Sequence, residues 1–227
     1  TDLAYAGPND EALRDIYQEL GFKTLLEKTD FNVAQKEQIA VEVNIVTAVT
    51  NDMLSDAMAV HVEIENEHYH TANAFGLAFV DDSTTMYVPI EVVMESDVVK
   101  DWLADKSKQK YMSDLKAAQC LLQRFGIELN GVTFDLLLAA YIANPAISGE
   151  DVAVLAKAFG YTDVQQNEEV YGKGAKWCCP EEKTLAEHVI RKALAVWSLQ
   201  PILTAKLEEN EQVKKNIAHI ERLTAEQ

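Results

Sequence analysis

The first 57 residues alternate between helical and extended patterns. Residues 7–28 carry apolar residues at helical spacing as far as Gly21, a residue type that commonly follows a helix C-terminus. The polar residues 29–38 indicate a linker. The β-branched run at 39–49 is typical of an extended segment, and a short helix is expected from Asn51 to about residue 57.

Three extended segments follow one another closely after this point. Residues 59–65 (AVHVEIE) alternate like a strand, and residues 75–80 (FGLAFV) form a short apolar run after a polar stretch. The turn-forming residues 81–83 separate this run from a third extended segment at 84–91. Three strands with short polar connections predict a three-stranded meander.

Beyond residue 95 the apolar spacing is helical. Pro145 and Pro201 are expected to end two of these helices, a charged helix is expected after Pro201, and the glycine-containing stretch 171–176 (YGKGAK) indicates a loop. Strands first and helices afterwards predict an α/β or α+β fold whose sheet forms early in the chain. The predicted helices are 96–105, 114–126, 134–144, 150–160 and 183–200.

The composition is typical of a globular protein with a large acidic excess. The chain has 227 residues, of which 48% are hydrophobic and 25% charged, and its net charge is −17. Proteins that bind DNA place Lys and Arg on phosphates, so this chain is expected to approach DNA only where a neighbouring domain supplies positive charge. No apolar run approaches the roughly 18 residues of a membrane helix. Thr1 is not Met and no signal-peptide pattern follows it, so we expect a fragment of a longer chain.

One histidine-rich stretch could hold a metal ion. Glu67, His68 and His70, together with His61, offer the imidazole and carboxylate ligands that zinc and iron accept. The stretch is polar and lacks two histidines at helical spacing, so solvated loop histidines are the favoured interpretation. The three cysteines (Cys120, Cys178 and Cys179) fit neither a disulfide framework nor a zinc pattern, and a reducing cytoplasm suits them.

Two further motifs are weak on spacing alone. The stretch 171–176 has two glycines and two lysines but lacks the GxxxxGK[ST] spacing of a phosphate-binding loop, so a plain loop is favoured. His188 and Lys192 are four residues apart in a predicted helix and therefore share one face. Spacing alone favours a surface lysine at 192.

Long strings of the chain resemble one enzyme family. Residues 126–160 (GIELNGVTFDLLLAAYIANPAISGEDVAVLAKAFG) resemble the middle of the proofreading 3′–5′ exonuclease domain of bacterial DNA polymerase I, and residues 168–200 continue the similarity. The similarity is closest to the type in which this domain has lost its activity. Residues 11–28 resemble the last helix of the 5′-nuclease domain of the same enzyme. The resemblance implies an RNase H-like α/β exonuclease fold with a central mixed β-sheet flanked by helices.

The resemblance also implies where an active site should lie. Active members hold two divalent metals with four carboxylates, because hard cations prefer oxygen ligands. Aligned through Gly76, the first motif falls on His61 and Glu63, and His61 stands at an Asp position. The second motif runs from Asp114 to Ala118, where Ala118 replaces the metal-binding Asp. In the third, His188 replaces a Tyr and Lys192 replaces an Asp.

Three of the four implied metal ligands are therefore missing. Ala118 has no donor atom, His61 is a poor magnesium ligand, and Lys192 brings a positive charge where an anion would be needed. No metal or other cofactor is expected to bind this chain. Glu63 then needs a new counter-charge in a buried cleft, and we predict that Lys192 lies beside it, with His61 alongside. The alternative is an exposed Lys192 after drift.

Three functional alternatives stay open. The first is a catalytically inactive exonuclease-like domain that serves as a structural part of a replication and repair polymerase. The second is an active metal-dependent exonuclease that uses substitute carboxylates (Glu65, Glu67, Asp114 or Asp135), although Asp135 is expected to cap the helix that follows it. The third is a protein-interaction module on the acidic surface.

The resemblance divides the chain into three parts. Residues 1–38 are expected to be the end of a 5′-nuclease domain and a linker, residues 39–205 the vestigial exonuclease domain, and residues 206–227 a helix leading toward a polymerase domain. The implied partners are those two domains of the same parent chain, with DNA contacted through the parent enzyme. A monomer in the cytoplasm, associated with the nucleoid and not with a membrane, is expected.

Overall fold

A computed structural model describes residues 40–65 and 70–208 of the chain. Five strands in this part form one sheet, in the order β3-β2-β1-β4-β5. The pairs β1–β2 and β2–β3 are antiparallel, whereas β1–β4 and β4–β5 are parallel. The predicted α/β class, meander and central mixed sheet are therefore confirmed. The strands are β1 (Ala57–Ile64), β2 (Ala74–Val80), β3 (Thr85–Pro89), β4 (Gln109–Met112) and β5 (Val132–Asp135).

Seven α-helices lie in the described residues. They pack on both faces of the sheet, because the residues of β1 and β2 are buried on both faces of these strands. The helices are α1 (Ile90–Glu95), α2 (Asp97–Ala104), α3 (Leu115–Arg124), α4 (Leu136–Ala143), α5 (Val152–Lys157), α6 (Asn167–Tyr171) and α7 (Glu182–Glu208). One apolar core lies between the sheet and α4, α5 and α7, and a second lies between the sheet and α1, α2 and α3.

The central strand β1 divides its residues between these two cores. Met58, Val60 and Val62 belong to the core on the side of α1, α2 and α3. Ala59 belongs to the core that includes α7. Because strand side chains alternate between faces, His61 and Glu63 share the face of Ala59 and are directed toward α7.

The β-branched segment before Asn51 borders β3, where Ile45 makes an isolated bridge to Tyr87, but residues 40–50 form no strand of the sheet. Two other expectations are wrong. The expected helix after Asn51 is a three-residue 3₁₀ turn, since β1 already begins at Ala57. The order of strands first and helices afterwards also fails, because β4 and β5 lie between helices.

The helix expected to stop at Pro201 continues through it to Glu208. Proline removes one backbone hydrogen bond and normally disrupts a helix. Here Leu199, Leu203 and Leu207 lie at helical spacing on both sides of Pro201, and all three are buried. This packing keeps both parts of α7 against the core.

Some predictions fall on residues outside the described ranges. These are the helix at 7–28, the linker at 29–38, Glu67 and His68, and the chain beyond residue 208. In the described part, no helix combines the length and the apolar character that crossing a bilayer requires.

Candidate active site

Strand β1 and helix α7 bring Glu63 and Lys192 together in the core. The Lys192 Nζ lies 2.9 Å from Glu63 Oε1 and 2.9 Å from Glu63 Oε2, so the ammonium bridges both carboxylate oxygens. Glu63 is 2% exposed and Lys192 3% exposed. The pairing predicted from the sequence is confirmed, and the alternative of an exposed Lys192 is wrong.

Two more donors reach the same carboxylate. His61 Nε2 lies 2.9 Å from Glu63 Oε2, and the Tyr171 hydroxyl donates to Glu63 Oε1 at 3.0 Å. Each oxygen of Glu63 therefore accepts two hydrogen bonds. A carboxylate has about four lone-pair positions in all, so these contacts use its full accepting capacity.

The electrostatics of the site keep Glu63 ionised and both nearby histidines neutral. Burial alone would raise the pKa of Glu63, but the charge of Lys192 and the hydrogen bond from His61 outweigh it, and the pKa is held well below its usual range. Burial lowers the pKa of His61, against the opposing effect of Glu63. Burial, with the charge of Lys192, lowers the pKa of His188 to about 3.

The neutral histidines have partners that fit their protonation. His61 Nδ1 lies 2.7 Å from Ser113 Oγ, so an Nε2–H imidazole donates to Glu63 and accepts from the Ser113 hydroxyl. His188 Nε2 lies 3.0 Å from Asn167 Oδ1 and its ring packs edge-on against Tyr171, with ring centroids 5.6 Å apart. His188, which stands at the position of the expected Tyr, is thus hydrogen-bonded to Asn167 and not to Glu63.

Residues of the second motif serve the structure of α3. The Asp114 side chain caps α3 by accepting from the Ala117 N–H at 3.0 Å. Ala118 is buried in the core that holds Val60 and Val62. Its methyl group offers no ligand atom.

Of the remaining candidate carboxylates, Asp135 and Glu65 lie in the described residues. Asp135 Oδ1 accepts from the Leu138 N–H at 3.0 Å, and its Oδ2 accepts from the Leu115 N–H at 2.9 Å. The expected helix cap at Asp135 is confirmed, and it serves α3 as well as α4. Glu65 lies just past the end of β1, where its backbone N–H donates to the Asn73 carbonyl.

The histidine-rich stretch can be followed only at its last member. His70 is exposed, and its Nδ1 lies 3.4 Å from Cys120 Sγ. His61 instead belongs to the Glu63 network. Within residues 40–65 and 70–208, no three His, Cys, Asp or Glu side chains are arranged as a metal site.

Three site residues were not identified from the sequence, namely Ser113, Asn167 and Tyr171. Tyr171 is the first residue of YGKGAK, for which the sequence predicts a loop, yet it ends α6 and is 5% exposed. Its ring lies between Phe75 and Trp177, with centroid distances of 6.0 Å and 6.1 Å. The only signal in the sequence was an aromatic residue beside a glycine. Gly172 has φ of 81°, and a Cβ there would come within 2.5 Å of the Lys176 carbonyl oxygen.

The donors present do not fit the two divalent metals that the resemblance implies. Hard cations need several oxygen ligands, and Glu63 is the only retained carboxylate among the four aligned positions. Its lone pairs are already used by Lys192, His61 and Tyr171. A cation at Glu63 would also meet the positive charge of Lys192 directly.

Sequence comparison assigns the fold to a family. Residues 60–199 match the family model described as "DNA polymerase I, ribonuclease H-like domain". The DNA polymerase I of Geobacillus stearothermophilus is 40% identical over 93% of this chain and 24% of its own length. That of Bacillus subtilis (strain 168) is 41% identical over 93% of this chain and 24% of its own length. The chain thus spans about a quarter of the length of these relatives.

Comparison with solved structures gives the same fold. Brucella melitensis NrnC has a TM-score of 0.65 at 15% identity, over 82% of this chain and 91% of that one. Escherichia coli RNase D has a TM-score of 0.59 at 15% identity, over 82% of this chain and 50% of that one. These likenesses support the RNase H-like fold expected from the sequence. With its five-stranded mixed sheet and the match over residues 60–199, the chain belongs to the family of ribonuclease H-like, 3′–5′ exonuclease domains of bacterial DNA polymerase I.

Proposed function

We propose that this chain is a catalytically inactive 3′–5′ exonuclease-like domain that serves a structural role in a DNA polymerase I. The observation that carries the proposal is that the Glu63 carboxylate is already fully hydrogen-bonded to protein side chains. Its two oxygens accept four hydrogen bonds, two of them from the Lys192 ammonium. The chemistry of the family needs this carboxylate to bind a metal ion, and here it binds a cationic side chain instead.

The surroundings of the site support the same conclusion. His61, Ala118 and Lys192 occupy the other three aligned positions, and none of them is an oxygen ligand. The Tyr171 hydroxyl, at the end of α6, donates to Glu63 Oε1. A ligand that binds this oxygen would have to displace that hydrogen bond.

A parent polymerase accounts for the remaining features. The relatives are about four times as long as this chain, which supports polymerase and 5′-nuclease domains as covalent partners. The net charge of −17 disfavours DNA binding by this domain alone, so the parent chain would supply the basic surface. A bacterial polymerase of replication and repair would work in the cytoplasm, at the nucleoid.

A nuclease assay tests the proposal. The purified chain is incubated with 5′-labelled single-stranded DNA and Mg²⁺ or Mn²⁺, and stepwise loss from the 3′ end is followed on a gel. We expect no loss above that of a Glu63→Ala control, which exposes any contaminating nuclease. EDTA-sensitive degradation that is present in the wild type and absent from Glu63→Ala would overturn the proposal.

A calorimetric titration with Mn²⁺ tests it independently of turnover. We expect no tight binding, because no free carboxylate pair lies at the aligned positions. A tight site that Glu63→Ala abolishes would instead favour the alternative of an active exonuclease. A tight site that Asp114→Ala abolishes would favour the substitute-carboxylate form of that alternative.

A further inference from the structure

The Lys192 ammonium lies where a cation bound to the Glu63 carboxylate would lie. Its Nζ lies symmetrically in front of the Glu63 carboxylate, 2.9 Å from each oxygen. Both side chains are 3% exposed, so water contributes little to neutralising either charge. The ammonium is therefore the counter-ion on which the buried carboxylate depends.

The anionic half of this pair is held in place by groups other than Lys192. The His61 Nε2 bond to Oε2 and the Tyr171 hydroxyl bond to Oε1 orient the carboxylate from two sides. His61 is fixed in turn by Ser113, and Tyr171 is held between two aromatic rings. Shortening Lys192 would remove the cation and leave the carboxylate oriented toward the vacated space.

We propose that Glu63, His61 and Tyr171 form a cation-binding site whose occupant is built into the chain as Lys192. The inference rests on the proposed function, since it supposes that the lysine has taken over the charge-neutralising role of a metal. When the side chain is shortened, the site accepts a small primary ammonium ion from solution.

The chemistry of the site selects this class of cation. A primary ammonium ion has three N–H donors, two of which can repeat the bonds that Lys192 makes to Glu63. Mg²⁺ demands near-octahedral oxygen coordination, and one carboxylate with a neighbouring Nε2–H donor does not supply it. A quaternary ammonium ion carries the same charge as a primary one but has no N–H to donate.

Chemical rescue of Lys192→Ala tests the proposal. The variant is refolded from urea with ethylammonium chloride or, at equal ionic strength, with tetramethylammonium chloride, and its Tm is measured. We expect ethylammonium to raise the Tm of Lys192→Ala by about 3 °C or more over tetramethylammonium. Wild type and Lys192→Met, in which the space stays filled, should show no such difference.

Any of three results would overturn the proposal. These are an equal effect of the two salts on Lys192→Ala, no effect of either, or the same ethylammonium shift in Lys192→Met. If Lys192→Ala does not fold alone, the yield of refolded protein with and without ethylammonium becomes the readout, and equal yields count against the site. The nuclease assay uses wild type and tests the proposed function, whereas the rescue uses Lys192→Ala and tests the cation site. A failed rescue and exonuclease activity of wild type are therefore separate outcomes.

Discussion

The Glu63–Lys192 pair predicts a large stability effect from a single buried charge. Lys192→Met removes the ammonium group and replaces Cδ with sulfur, so an apolar side chain of nearly the same length remains. Glu63, 2% exposed, then stays in the core without its counter-ion. The hydrogen bonds from His61 and Tyr171 remain and compensate part of the lost interaction.

The magnitude follows from the contacts that are lost. Breaking a buried ion pair from one side costs about 3–5 kcal/mol, and the two retained hydrogen bonds place this case near 3 kcal/mol. For a chain of this size that corresponds to a Tm lower by about 6–12 °C. Glu63→Gln combined with Lys192→Met removes both charges, and we expect it to recover about 2 kcal/mol over Lys192→Met. The His61–Ser113 pair can reverse its donor and acceptor roles to accommodate the amide that Glu63→Gln introduces.

Urea unfolding of the two single variants and the double variant measures this coupling as a double-mutant cycle. Lys100→Met is the matched control, because Lys100 pairs with Asp97 at 3.5 Å on the surface and should cost no more than about 0.5 kcal/mol. The reasoning is refuted if Lys192→Met costs less than about 1 kcal/mol. It is equally refuted if the double variant is no more stable than Lys192→Met.

Three other predictions concern buried groups. Burial lowers the pKa of Lys110 to about 8, against the opposing effect of the Asp105 charge. Between about pH 8 and the unfolded-chain value of about 10.4, the unfolded chain therefore binds more protons than the folded one, and the stability of wild type rises with pH. Urea unfolding should therefore show the stability of Lys110→Met, relative to wild type, falling by about 2–3 kcal/mol between about pH 8 and 10.5. Asp135→Ala removes the cap of α4 together with the hydrogen bond to the Leu115 N–H at the start of α3, and should cost about 2 kcal/mol in urea unfolding. His61→Asp, Ala118→Asp and Lys192→Asp combined should gain calorimetric Mn²⁺ binding, yet no nuclease activity while the Tyr171 hydroxyl stays bonded to Glu63.

Each of these has its own control. A pH-independent difference between Lys110→Met and wild type would show that burial does not lower the pKa of Lys110. Asp114→Ala removes one cap only and should cost about half as much as Asp135→Ala, so equal costs would contradict the double role of Asp135. Adding Glu63→Gln to the triple variant should weaken the Mn²⁺ binding, and unchanged binding would place the metal elsewhere.

The sequence predicted the strands that are long and apolar and missed those that are short. β1 and β2 have seven or eight residues, enough for alternation or an apolar run to be recognised. β4 and β5 have four residues each, and β4 contains the fully buried Lys110. Lys110 is buried because its Nζ donates to the carbonyls of Asp105 and Lys108 and lies 4.6 Å from the centre of the Trp102 ring. Such partners come from tertiary structure, so a hydrophobic pattern cannot show them.

The candidate site was predictable only at the positions that the resemblance aligned, which include the neutral His61 and His188. Lys192 opposite Glu63 followed from the cost of a lone buried carboxylate together with the aligned positions. Tyr171, Ser113 and Asn167 could not be inferred, because each is a common residue type in a segment without periodicity. Their roles depend on how α6 packs against α7 and on how the C-terminal end of β4 lies beside β1.

The replaced positions also depend on one another. A neutral His61 can donate to Glu63 and accept from Ser113, whereas an Asp at position 61 would place a second anion beside Glu63 for the single Lys192 ammonium to neutralise. An Asp at 192 without a metal would leave Glu63 facing a like charge. Returning any one of these residues alone is therefore expected to destabilise the fold before it restores a metal site. Among the described residues, the present side chains leave no buried polar side-chain atom without a hydrogen-bond partner. A single reversion would break this arrangement, so the interdependence of these positions favours retention of the proposed inactive site.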